Sequence, residues 1–300
     1  MRVLVSGGGG QVATAVAARA PAAHQVFVRS RAQLDIADEG AVTRAVQECA
    51  ADWLINAAAY TAVDLAEDQP AQARAVNDTA VGVLAAVAAR QGCRLVHLST
   101  DFVFDGGSSR AYLPDDPTNP LSVYGATKLA GEQRALSGPG VGSSAAAGAG
   151  AGGGIVLRTA WVYAAAGRNF ALTMLRLMRE KEQVSVVCDQ IGTPTWAASI
   201  AAAIWGLIEA GAPGGIYHWT DLGVASWYDF AVAIQDEALA RGLLTRAVPI
   251  IPIPTSAYPT RARRPAFSVL DTAATRALIK VPARHWRHNL RTMLDGIPTS

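Results

Sequence analysis

A β-rich apolar run, MRVLVS, leads without a break into Gly7-Gly8-Gly9-Gly10 and then Gln11-Val12-Ala13. Few sequence features restrict a fold more. The spacing G-x-x-G-x-x-A puts Gly7 at a tight turn, Gly10 where the backbone must approach a pyrophosphate, and the small Ala13 where helix and strand press together. A helix that begins at this turn presents unpaired N–H groups and the positive end of its dipole to an anion. The chain is therefore committed to a βαβ start with a phosphate at the carboxyl end of the first strand. The same glycines interrupt any continuous apolar segment, so the N-terminus is not expected to act as a signal peptide.

The alternation continues downstream. HQVFVR (24–29), DWLINAAA (52–59) and CRLVHLST (93–100) read as strands. EGAVTRAVQECA and PAQARAVNDTAVGVLAAVAARQG between them read as helices, the second closed by Gly92. Strands that are nearly continuous apolar runs belong to a parallel sheet covered on both faces. The expected fold is α/β, a doubly wound parallel Rossmann sheet with a smaller C-terminal substrate domain. Residues 1–168 form the NADP-binding domain, with GIVLRTAWVY as a further strand. Within it the stretch 137–154 has no large side chain and reads as a low-complexity surface loop. Residues 169–300 form mainly the substrate domain, with a segment near 193–213 packing back on the first. WAASIAAAIWGLI (196–208) is too short to span a bilayer and reads as a buried helix. The prolines of 249–265 are too dense for a helix interior or a central strand. A net charge of +2 excludes an electrostatic nucleic-acid or membrane binder. Three scattered cysteines, Cys49, Cys93 and Cys188, form no disulfide or metal pattern and fit a reducing cytoplasm.

The second strand ends in Arg29-Ser30-Arg31, where a NAD-selective site has an acid for the ribose 2′-hydroxyl. Two guanidinium groups suit a 2′-phosphate. NADPH is the expected cofactor, with NADH the alternative. The fourth strand ends at Ser99-Thr100-Asp101, and NPLSVYGATKLAGE (119–132) places Tyr124 and Lys128 one helical turn apart. Strand ends face the ligand crevice in such a sheet. A phenol beside an ammonium, with a threonine hydroxyl at hand, makes a carbonyl reductase. Tyr124 protonates the oxygen as hydride reaches the carbon, Lys128 lowers the pKa of the phenol, and Thr100 holds the oxygen.

These residues resemble the short-chain dehydrogenase/reductase superfamily, in its extended, nucleotide-sugar branch. INAAAYTAVDLAE (55–67), LSTDFVFDG (98–106), VVCDQIGTPT (186–195) and YPTRARRPAFSVL (258–270) carry the resemblance beyond the glycine turn and the tyrosine–lysine pair. It implies NADPH-dependent reduction of the C4 ketone of dTDP-4-dehydro-β-L-rhamnose to dTDP-β-L-rhamnose. That product is the rhamnose donor for cell-surface polysaccharide such as lipopolysaccharide O-antigen. It implies Tyr124 as proton donor, Lys128 as its partner and ribose anchor, and Thr100 as the carbonyl-oxygen partner. Cofactor contacts are implied at Gly7, Gly10, Gln11, Val12, Asp35, Ile36, Ala59, Tyr60 and Thr61, with Ala57, Ala58 and Ser99 beside them. Substrate contacts are implied at Thr100, Asp101, Tyr124, Trp161, Asn169 and Arg264. Trp161 is suited to stack on a base or sugar.

Some members of the branch dimerise through magnesium held by glutamates. The matching positions here are Ala15 and Ala198. A methyl group cannot ligate a hard cation, so no metal is expected and the chain is expected to be a cytoplasmic monomer. Phe267 stands where an Asn is usual, and Arg261 where a Pro is usual. Two other functions share the pattern: a nucleotide-sugar epimerase or dehydratase using the same tyrosine, and a non-catalytic NADP-binding regulatory subunit. His285 and His288 read as surface residues and His97 as a residue in or beside the fourth strand.

Overall fold

The computed structural model describes residues 1–137 and 153–298. The loop expected at 137–154 lies, apart from its ends, outside the described residues.

The glycine turn joins β1 (Arg2–Gly8) to α1 (Gln11–Ala18). There follow β2 (Gln25–Ser30), α2 (Glu39–Cys49), β3 (Trp53–Asn56), α3 (Val63–Asp68), α4 (Pro70–Arg74), α5 (Ala80–Arg90), β4 (Arg94–Thr100), α6 (Val123–Leu136) and β5 (Ile155–Thr159). The remaining chain supplies β6 (Val162–Tyr163), α7 (Phe170–Glu180), β7 (Val184–Val187), β8 (Ile191–Gly192), β9 (Thr195–Trp196), α8 (Ala197–Glu209) and β10 (Gly215–His218). It ends with β11 (Ala225–Ser226), α9 (Trp227–Leu239), β12 (Ile250–Ile253), α10 (Ala273–Ile279) and α11 (Trp286–Asp295).

Six strands form one parallel sheet in the order β2-β1-β3-β4-β5-β10. Chain order reverses direction after β1, so the ligand crevice opens beyond the carboxyl ends of β1 and β3. Side chains alternate between the faces. Val3 and Val5 enter one core with Ile55, Leu157 and the α8 residues Ile200, Ile204 and Leu207, whereas Leu4 enters the other with Leu54, Leu84 and Val156. Each such aliphatic side chain, fully buried, contributes about 1.5–3 kcal/mol. Helix α8 is apolar on every side because it lies between the sheet and α10, and Trp205 Nε1 donates to Val16 O. A third core, of Met174, Leu175, Phe230, Ile234 and Leu290, joins α7, α9 and α11 in a second lobe.

Two local expectations change and one holds. GIVLRTAWVY is not one strand, because Trp161 adopts φ +47° and ends β5 at Thr159. The chain restarts as β6, which pairs with β9 away from the main sheet. The proline-rich stretch contains the short strand β12, paired only with β7. Pro252 is tolerated there because a two-stranded sheet leaves one edge free. The helix expected over residues 70–92 carries a π-type turn at Ala75–Thr79, which turns Asn77 inward. Such turns recur at functional sites.

Helix α6 crosses this turn so closely that a Cβ at Gly131 would stand 2.0 Å from Asn77 O. Gly131→Ala should therefore destabilise by about 1–3 kcal/mol through overpacking, although helix propensity alone favours alanine by about 1 kcal/mol. Urea unfolding gives the sign; a stabilised variant would show that the two segments part freely.

Candidate active site

The chemistry-bearing residues gather where β4 ends and α6 begins. Ser122 caps α6 by accepting from Gly125 N at 3.1 Å, which puts Tyr124 in the first turn and Lys128 one turn deeper. Thr100 and Asp101 follow directly from β4, and Thr100 Oγ1 donates to Asp101 Oδ1 at 3.0 Å. Asp101 is 1% exposed and its Oδ2 has no partner among the described residues. Burial pushes the Asp101 carboxyl up to about 6, against the pull of the Ser268 and Thr100 side chains.

The half-buried Tyr124 packs edge-on against Phe102, ring centres 5.6 Å apart. Burial pushes its phenol up to about 12, the Thr100 hydroxyl beside it draws it down, and the Asp101 charge raises it. Lys128 is 2% exposed; its Nζ donates to Leu98 O at 2.6 Å and lies 3.3 Å from His97 Nε2. Burial pushes the ammonium down to about 8, partly offset by Glu132. The sequence-based expectation that Lys128 brings the phenol down is thus not what governs here. Desolvation acts on both groups and disfavours the charged form of each, and the ammonium is engaged by β4.

Ser99 and Thr100 point to opposite faces, as neighbours on a strand must. The Ser99 hydroxyl donates to Glu132 Oε1 at 2.5 Å, inside the protein. Glu132 in turn receives Arg158 Nε at 2.9 Å and Nη2 at 2.7 Å, with both side chains at most 2% exposed. Arg158 also donates to Pro114 O at 3.0 Å and lies over the Phe104 ring. Asn56, Asn77, Glu132 and Arg158 were not singled out by sequence reasoning. The signal for Glu132 was present: Tyr124, Lys128 and Glu132 repeat every four residues and share one helix face.

At the glycine turn, Gly7 and Gly9 have φ +83° and +88°. A Cβ at Gly7 would meet Ala58 N at 2.6 Å, while Gly9 faces open space. Gly10 caps α1 without a side-chain partner, so the first amides of the helix remain available. This arrangement fits a dinucleotide pyrophosphate, held by backbone donors. Asn169 Nδ2 donates to Gln11 Oε1 at 2.9 Å while its Oδ1 caps α7 through Leu172 N; it ties the second lobe to the rim of the cradle. Val12 packs against the core behind the turn.

At the end of β2, Arg29 is half-buried and Arg31 exposed. The Ser30 hydroxyl donates to Gln33 Oε1, Asp35 Oδ1 accepts from Ala37 N, and Ile36 is 7% exposed. The loop Ala57–Thr61 after β3 is pinned by Asn77, which accepts from Tyr60 N at 2.8 Å and donates to Tyr60 O and Thr127 Oγ1. Ala59 and Thr61 line the outer part of that loop.

Trp161 stacks on Trp227 with ring centres 3.5 Å apart and planes 3° from parallel. A Cβ at Gly192 would stand 2.6 Å from its indole. Arg264 forms a bidentate pair with Asp64 at 3.1 and 2.7 Å, and Ala262 N donates to the same carboxylate. Arg264 thereby holds the Asp64 carboxyl below its usual range. Arg261 pairs with Asp68, so both arginines fasten the segment 261–268 to α3. Phe267 lies beside Tyr112. His285 and His288 are exposed and His97 is fully buried in β4. Among the described residues no cluster of metal-ligating side chains occurs, and no helix is long and apolar enough to cross a membrane.

The sheet order, the glycine turn and the crevice it opens define a nucleotide-dependent oxidoreductase of the extended short-chain dehydrogenase/reductase class. Comparison with known proteins narrows this. The family described as RmlD substrate binding domain matches residues 1–298. A dTDP-4-dehydrorhamnose reductase of Burkholderia thailandensis is 44% identical over 298 residues, 96% of this chain and 96% of the relative. A crystal structure of a Clostridium acetobutylicum dTDP-4-dehydrorhamnose reductase superposes with a TM-score of 0.88 at 33% identity, covering 98% of this chain and 99% of that one. That of the Bacillus anthracis enzyme in complex with NADP gives 0.88 at 30% identity, covering 98% of both chains. The chain belongs to the dTDP-4-dehydrorhamnose reductase family.

Proposed function

We propose that the protein reduces the C4 ketone of dTDP-4-dehydro-β-L-rhamnose to dTDP-β-L-rhamnose with NADPH. The observation that carries this reading is the placement of Tyr124, in the first turn of α6, beside Thr100 and the buried Asp101 at the end of β4. When bound, the nicotinamide supplies the hydride. Thr100 and Tyr124 hold the ketone oxygen, and the Tyr124 O–H releases its proton as that oxygen gains charge. A phenol that burial raises from 10 to about 12 is protonated at any physiological pH. Lys128 as ammonium, one turn away, stabilises the phenolate left behind. Gly7, Gly10, Gln11 and Val12 hold the pyrophosphate, and the loop Ala57–Thr61 with Asp35 and Ile36 lines the nucleoside. Trp161, Asn169 and Arg264 border the sugar-nucleotide side, with Arg264 acting through the tether to Asp64. Ala15 and Ala198 offer no oxygen ligand, which supports a monomer without a magnesium bridge, working in the cytoplasm.

The test is NADPH consumption with the enzymatically prepared keto-sugar nucleotide. Turnover should far exceed that with 4-keto sugars of other nucleotides; equal rates would remove the substrate assignment. In the same assay, Arg29→Ala with Arg31→Ala should lower kcat/KM for NADPH roughly ten- to a hundredfold, the worth of one or two charge-assisted hydrogen bonds. The value for NADH should change little. Equal losses with both cofactors would mean that neither guanidinium reads the 2′-phosphate.

A further inference from the structure

Beneath the crevice a buried polar chain connects the glycine turn to Lys128. Ser6 Oγ donates to Asn56 Oδ1 at 2.8 Å, and Ala58 N donates to the same oxygen at 3.1 Å. Asn56 Nδ2 lies 3.0 Å from His97 Nδ1, and His97 Nε2 lies 3.3 Å from Lys128 Nζ. Ser6, Asn56 and His97 are all 0% exposed.

A main-chain N–H can only donate, so Ala58 fixes which end of the Asn56 amide is oxygen. The other end is then NH₂ and donates, so His97 Nδ1 must accept. A neutral imidazole carries one proton, and here it can only be on Nε2, facing the lysine. Burial and the Lys128 charge hold His97 well below its usual pKa, in the neutral form. We infer that His97 is a positioning residue for the reduction: locked by Asn56, it turns an N–H toward Lys128 and so favours the amine over the ammonium. An amine can accept that N–H and still donate to Leu98 O; an ammonium has no lone pair to receive it.

The other groups facing Lys128 are few. Glu132 on its own helix favours the ammonium, and Glu132 is shared with Arg158 of β5. Tyr124 stands one turn before it and Asp101 at the end of β4. Burial pushes the ammonium down to about 8 and Glu132 offsets this in part; His97 acts against Glu132, so Lys128 ionises close to working pH, where a group serving proton transfer is most effective. The inference rests on the Tyr124–Lys128 chemistry proposed above, but its first test needs no substrate.

The chain has five histidines. Ring ¹⁵N shifts of the free protein should show His97 and His218 neutral at mildly acidic pH. His218 Nδ1 lies 3.1 Å from Tyr112 O, so it must carry its proton on Nδ1. His97 should be the opposite tautomer, with the proton on Nε2. Assignment comes from the signal lost in His97→Gln, or from the pair remaining in the triple variant His24→Gln, His285→Gln, His288→Gln. Two Nδ1–H rings, or a His97 imidazolium, would overturn the inference. In kinetics, the reduction should lose rate as Lys128 deprotonates. His97→Gln can turn an amide oxygen to the ammonium and should move that midpoint up by about one pH unit, the worth of one hydrogen bond on the charged form. A lowered rate with an unmoved midpoint would mean that His97 is structural only.

Discussion

Tyr124→Phe should lower kcat about 10²- to 10⁴-fold, the range that one positioned acid supplies, while NADPH affinity changes little. Burial pushes the phenol up to about 12, so it stays protonated at working pH, yet its neighbours Thr100 and Lys128 can support the anion once it forms. Phenylalanine retains the ring packing against Phe102, so the fold should be undisturbed. Stopped-flow hydride transfer and fluorescence titration with NADPH separate the two effects. A variant that keeps more than about a tenth of the rate would show that another group, with Asp101 the first to examine, delivers the proton. A loss confined to KM would mean that Tyr124 only binds.

Much of this crevice could be read along the chain, because the groups concerned lie within single elements. Gly7 to Ala13 is one turn and one helix start, and Tyr124 with Lys128 is one helix face. The short runs of the sheet were legible for the same reason: strands covered on both faces are uniformly apolar. What stayed hidden depends on approach between distant segments. No local pattern shows that β10, from the far half of the chain, adds the sixth strand beside β5. Trp161 read as a free aromatic at the crevice, but pairing with Trp227, far along the chain, decides what its face touches. Arg264 read as a substrate contact, whereas Asp64 occupies its guanidinium. The pKa of the Tyr124 phenol differs from the expectation for a related reason, since burial, its largest cause, is a property of the assembled core.

Glu132→Gln should cost about 3–5 kcal/mol of stability, the penalty for stranding one partner of a buried ion pair. The amide keeps the shape of the carboxylate and can still accept from Ser99, but it leaves the Arg158 guanidinium without its counter-charge at 2% exposure. His218 offers that guanidinium only a neutral nitrogen at 3.4 Å, and burial holds the imidazole down to about 3. Adding Arg158→Met should recover much of the loss, because a methionine fills the space without a charge to satisfy. Guanidinium chloride unfolding of the two variants measures both numbers. A single variant within about 1 kcal/mol of the parent would mean that water reaches the pair. The substitution also removes the one charge that favours the Lys128 ammonium, so the alkaline loss of activity should begin at lower pH.

The lock on Asn56 begins with the peptide nitrogen of Ala58, a group carried by the main chain itself. A change of the Ala58 side chain leaves that donor in the main chain, proline alone excepted. Drift in the nucleotide-facing loop can therefore retune cofactor affinity while the proton inventory below it is inherited unchanged.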